Sequence, residues 1–180
     1  GRRRLEAASH RHGRTAVSAT LRALVPQALT AEAFAEFGDV VEVGGSPDLI
    51  NGGTTQQFAD LAGIDTGIEG GRSCVSIYRA TPYPLPLAIR MLERHPLGSQ
   101  LFMPLSGGRF LVVVAPAAAV PDRAAVRAFL TNGRQGVNYR RGTWHHPLIA
   151  QGGAGEFLVI DRAGPGPNCD EFQFGDARIE

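Results

Sequence analysis

The sequence predicts an all-β domain, a jelly roll or small barrel with one or two short flanking helices. Three observations carry this. Glycine and proline, 23 and 12 of 180 residues, punctuate apolar runs instead of forming a low-complexity block, which favours many short elements over long helices. Several of those runs alternate with period two or are apolar throughout, the two signatures of strands. The chain is 43% hydrophobic, enough to bury one full core at a length where two domains would be cramped.

Residues 1–20 are arginine-rich with a single acid, Glu6, and read as a disordered extension to a single domain over 21–180. Thr30 suits the N-cap of a helix over 31–37, which Gly38 would close in the left-handed conformation. Residues 39–43 read as a strand ended by Gly44-Gly45-Ser46-Pro47, Leu49-Ile50 as a second short segment, and 54–71 as a strand followed by a loop. From Arg72, the residues Cys74, Ser76 and Tyr78 alternate with Val75, Ile77 and Arg79, so the strand has two different faces.

Pro82, Pro84 and Pro86 forbid a central strand and mark a crossing segment. Leu87, Ile89, Met91, Glu93 and His95 then occupy alternate positions, which on a strand puts a carboxylate and an imidazole on one face; a helix is the alternative, and Pro96 stops either. Residues 100–105 precede a Gly107-Gly108 turn, and 109–115 read as a strand buried on both faces. After a loop, 126–130 is a strand or helix ended by the tight-turn pair Asn132-Gly133. Residues 137–140, 142–148 and 156–162 complete nine or ten strands, and the Pro/Gly-rich tail from Gly164 reads as irregular.

All 18 basic residues are arginine, and six of them precede residue 23 against one acid. The rest of the chain holds 12 arginines and 16 acidic residues, net −4, so the domain has no nucleic-acid footprint. Two distant cysteines, Cys74 and Cys169, read as free thiols of a cytoplasmic protein. No apolar run reaches the ~18 residues of a membrane span.

The polar residues that stand out are Trp144-His145-His146-Pro147-Leu148 and the 93–100 segment. Adjacent imidazoles on a strand point to opposite faces, so at most one of His145 and His146 enters a barrel. Four residues separate His95 from Gln100 and six separate Gln100 from Gly107, a spacing that resembles the second half of the first cupin motif. Two residues separate Gly142 from His145, which resembles the end of the second cupin motif. That register turns His145 inward and His146 outward, against Trp144 or a subunit contact. The motif's earlier His is replaced by Glu93, its Glu by Gln100, and its usual Pro by Arg140.

A closer resemblance is to the ureidoglycolate lyase family. It rests on 93–100 (Glu-Arg-His-Pro-Leu-Gly-Ser-Gln), on 127–139, on Trp144-His145-His146-Pro147-Leu148, on Ile160-Asp161-Arg162, and on Asn168-Cys169-Asp170. The resemblance implies a cupin-type jelly-roll barrel, a homodimer, and cleavage of (S)-ureidoglycolate into glyoxylate and urea.

That substrate is a carbinolamide. Removing its hydroxyl proton lets a C=O form as the C–N bond breaks, and the departing nitrogen needs a proton, so one base and one acid suffice. His145, His95 and Glu93 are the catalytic candidates, an imidazole having an ordinary pKa near ~6.5. Which His is acid and which base stays open. Arg79 or Arg140 would clamp the substrate carboxylate, and Gln100, Tyr139 and His146 complete the substrate-binding candidates. His95, Gln100 and His145 are the candidate ligands of a divalent ion, but the twice-broken motif favours metal-free chemistry. The alternatives are a metal-dependent cupin enzyme such as a dioxygenase or sugar isomerase, and a non-catalytic module that binds a small carboxylate.

Overall fold

The structure, a computed structural model, describes residues 22–179; the expected 1–20 extension lies outside the described residues. Its strands number 15, more than the nine or ten expected. In chain order they begin with β1 (Arg22–Leu24) and β2 (Gln27–Ala28), followed by helix α1 (Ala31–Phe34), β3 (Gly38–Val41), and the hairpin β4 (Asp48–Ile50) with β5 (Thr55–Gln57). Next come β6 (Arg72–Ala80), β7 (Leu87–Arg94), β8 (Gln100–Pro104), β9 (Phe110–Ala115) and β10 (Arg127–Leu130). The chain closes with β11 (Gly136–Tyr139), β12 (Trp144–His145), β13 (Ile149–Ala150), β14 (Gly155–Ala163) and β15 (Asp170–Ile179).

These strands form two principal sheets. The larger runs β1-β15-β7-β12-β9-β10-β2 with β13 also on β9, and the smaller runs β3-β11-β8-β14-β6. Neighbours in space are seldom neighbours in sequence, as a jelly roll requires. Strand β9 is buried at every position because the larger sheet has a core on each face. Phe110, Val112 and Val114 pack toward the smaller sheet with Phe102, Val137 and Phe157. Leu111, Val113 and Ala115 pack on the other side with Leu92, Trp144 and Ile179. The outcome is the all-β, cupin-like barrel that the sequence predicts.

Three local features differ from expectation. The side chain of Thr30 does cap the helix, accepting from the N–H of Ala33, but the helix is one short turn that tucks Phe34 and Phe37 into the core. Gly38 does not close it; at φ 155° it opens β3, and a Cβ there would lie 1.9 Å from the carbonyl oxygen of Asn138. The tail is not irregular: after the turn-forming Gly164-Pro165-Gly166-Pro167, β15 is ten residues long and pairs antiparallel with β7. No helix among the described residues is long and apolar enough to cross a membrane.

Candidate active site

Two neighbouring strands of each sheet supply the site. In the larger sheet β12 pairs β7 so that His145 lies opposite Glu93. In the smaller sheet β11 pairs β8 so that Tyr139 lies opposite Gln100. The two pairs meet inside the barrel: the rings of Tyr139 and His145 stack 4.2 Å apart and 4° from parallel. His95, one residue beyond β7, lies with its ring 5.2 Å from that of His145. Glu93, His95, Gln100, Tyr139 and His145, widely spaced in the chain, therefore form one cluster.

The hydrogen bonds of His95 anchor its ring. Its Nδ1 lies 2.6 Å from the carbonyl oxygen of Asn168, and its Nε2 lies 3.2 Å from Oε1 of Gln100. Both ring nitrogens therefore face oxygens, and either can serve as the donor to its partner. Glu93 stands beside the ring, and His95 opposes the other influences on its carboxyl. Burial, the larger influence, holds that carboxyl above its ordinary value, and the neighbouring Glu171 adds to the rise. A carboxylate with a raised pKa is a stronger base than an exposed one.

His145 is of a different kind. It is 1% exposed, and burial, with the nearby charge of His95, lowers its pKa to about 3 against a modest opposing hydrogen bond to the carbonyl of His146. It is therefore neutral at physiological pH, unlike the ordinary imidazole that the sequence suggests. Its Nδ1 is 3.4 Å from the oxygen of His146 and 3.8 Å from Glu93 Oε1, while its Nε2 is buried without a partner. Burial also raises the Tyr139 hydroxyl, with Glu93 adding to the effect, so the phenol keeps its proton.

Other candidates lie elsewhere. Arg79 is paired with Glu156 at 2.7 Å and its side chain is 80% exposed. Glu156 is next to Phe157, which fills the core, so alternation turns the Arg79–Glu156 pair to the outside of the barrel. Arg140 donates to the carbonyl oxygens of Ala35 and Glu36 at the end of α1, where free helix carbonyls attract a cation. The structure thus brings neither arginine into the cluster. His146 meets Tyr83 edge-on at 6.3 Å; Trp144, its expected neighbour, instead contacts Phe172 and the guanidinium of Arg94.

The sequence reading gave no role to Asn168, which holds His95, or to Cys169, whose thiol is 4.0 Å from Glu93 Oε2. Both precede β15, the strand mistaken for an irregular tail. The ligand atoms of Glu93, His95 and His145 all lie within 4.8 Å of one another. Two imidazoles and one carboxylate are a donor set suited to a divalent transition metal, and the orphaned Nε2 of His145 fits that use. Glu93 takes the place in this set that the sequence reading gave to Gln100.

Comparison with known proteins agrees with this architecture. The family model described as ureidoglycolate lyase matches residues 21–180. A ureidoglycolate lyase of Azotobacter vinelandii is 55% identical over 157 residues, covering 87% of this chain and 95% of that protein. Those of Pseudomonas syringae pv. syringae and Pseudomonas putida F1 are 52% and 51% identical, each over 88% of this chain and 94% and 96% of their own. The chain belongs to the ureidoglycolate lyase family.

Proposed function

We propose that this protein cleaves (S)-ureidoglycolate into glyoxylate and urea, with Glu93 as base and His95 as acid. The observation that carries the assignment is the geometry of one cluster: a half-buried carboxylate, Glu93, beside an imidazole, His95, whose two nitrogens are held by Asn168 and Gln100. Glu93 takes the hydroxyl proton of the carbinolamide. The C–O bond becomes C=O, the C–N electron pair leaves on the ureido nitrogen, and that nitrogen takes the proton from Nε2 of His95. Proton return from Glu93 to His95 resets the pair, and no water is consumed. Tyr139, which keeps its hydroxyl proton, and the amide of Gln100 offer neutral donors to the substrate oxygens. His145 stays neutral and packs the Tyr139 ring.

A second reading is favoured by the partnerless Nε2 of His145: Glu93, His95 and His145 would hold a divalent ion. Bound there, the ion would supply Lewis-acid polarisation of substrate oxygens. The two readings exclude each other at one atom, since Nε2 of His95 cannot carry a proton and bind a metal. Full activity after exhaustive chelation, with no metal retained, supports the proton-holding form; activity that vanishes and returns with added metal supports the other.

The proposal includes a homodimer working in the cytoplasm. In support, β6 ends its sheet with an unpaired edge, and Val75 and Ile77 on it are 65% and 55% exposed, a surface suited to a second copy. Cys74 and Cys169 are free thiols, as a reducing compartment maintains. The activity itself is tested by incubating purified protein with (S)-ureidoglycolate. Glyoxylate and urea in equal amounts without ammonia are expected; ammonia release, or no turnover, would overturn the assignment.

A further inference from the structure

We infer that Asn168 is a positioning residue that sets which nitrogen of His95 faces the substrate. This rests on the assignment of His95 as the acid and adds what makes that acid usable. Asn168 is the second-last residue before β15 and makes two contacts with the segment that follows β7. Its backbone carbonyl accepts from Nδ1 of His95 at 2.6 Å, and its side-chain Oδ1 accepts from the backbone N–H of Leu97 at 2.7 Å.

The two bonds act as one latch. Pro96 has no N–H, so Leu97 carries the first free backbone donor after His95, and it lies beyond the end of the β7 ladder. The amide oxygen of Asn168 satisfies that donor and fixes the loop, and the fixed loop aims its own carbonyl at His95. With Nδ1–H held there, the ring cannot turn over, and Nε2 is the nitrogen presented to Gln100 and the cluster. Neighbouring contacts hold the same two segments together: Asp170 pairs with Arg94 at 2.8 Å, and the Cys169 thiol rests near Glu93. Those contacts bear on residues 93 and 94, whereas Asn168 bears on the His95 ring, at the nitrogen opposite the one that meets Gln100.

A misplacement of about 1 Å in a reacting group can cost roughly 10²-fold in rate. Asn168→Ala is therefore expected to lower kcat on ureidoglycolate by up to about 10²-fold with little change in KM. Asn168→Asp, which keeps an oxygen able to accept from Leu97, is expected to restore most of that loss. In the NMR spectrum of the wild-type protein, the Nδ1–H proton of His95, identified by its disappearance in His95→Gln, should exchange slowly with water. It should exchange fast in Asn168→Ala and slowly again in Asn168→Asp.

A folded Asn168→Ala protein with wild-type kcat, an Asn168→Asp protein as slow as Asn168→Ala, or a fast-exchanging proton in the wild type would each overturn the inference. The wild-type measurement stands even if Asn168→Ala does not fold. An active His95→Gln protein would instead remove His95 from the chemistry, and the exchange measurement would still report on the latch.

Discussion

Lowering the pH should destabilise this fold through His145 by an amount that the structure sets. The imidazole has an ordinary pKa of 6.5 in the unfolded chain and about 3 in the fold. Below pH 6.5 the unfolded chain therefore binds a proton that the folded chain refuses, and protons draw the equilibrium toward unfolding. The stability is fully present above pH 6.5 and is lost progressively as pH falls toward 3. At ~1.4 kcal/mol per pH unit, the loss attributable to this ring reaches about 2 kcal/mol at pH 5. For a domain of this size that is a fall in Tm of about 4–8 °C.

His146, whose pKa burial also lowers, and the carboxylates contribute pH dependence of their own, so the test is a difference. Urea denaturation followed by circular dichroism, with chelator present, would be run at pH 7 and pH 5 on wild type and His145→Leu. The wild type should lose about 2 kcal/mol more than the variant between those pH values. Equal losses would refute the claim that His145 is buried as a neutral ring.

Two other substitutions probe placements in the fold. Arg79→Ala should leave kcat/KM within about twofold of wild type and cost no more than about 1 kcal/mol of stability, because its ion pair with Glu156 is exposed; a large rise in KM would return Arg79 to the site. Gly38→Ala should cost about 3 kcal/mol or more in urea denaturation, since its Cβ would meet the Asn138 carbonyl at 1.9 Å; a loss below about 1 kcal/mol would contradict the described entry into β3.

Much of the barrel was legible where the pattern is local. The apolar run of β9 announced burial on both faces, and period-two alternation found β6; in β7 the strict alternation expected from Leu87 to Glu93 does not hold, because Leu87 and Ile89 pack in the same core as Leu92. Two-residue strands such as β2, β12 and β13 are too short to show a period, and their pairing comes from partners distant in sequence. The Pro/Gly run at 164–167 hid β15 because turn signals dominated the reading of the tail. Alternation also puts Arg79 on one face with Val75 and Ile77, but it does not say which way that face turns; on this edge strand it is the outer one.

The cluster was half legible for the same reason. Spacing placed His95, Gln100 and His145 in one register, and the strand pairing brings them together. The neutral state of His145 was not readable, because it comes from burial and from His95 reaching it through the fold. Nor was the anchoring of the His95 ring, which depends on a carbonyl 73 residues away.

The central claim is that Glu93 takes the hydroxyl proton, and the most direct measurement of it is kcat for Glu93→Gln on (S)-ureidoglycolate under chelation. Glutamine keeps the shape of the side chain and cannot act as the base. Loss of a positioned general base predicts a fall of about 10²–10⁴-fold in kcat with a folded protein and little change in KM. A Glu93→Gln protein that turns over at the wild-type rate would contradict the account.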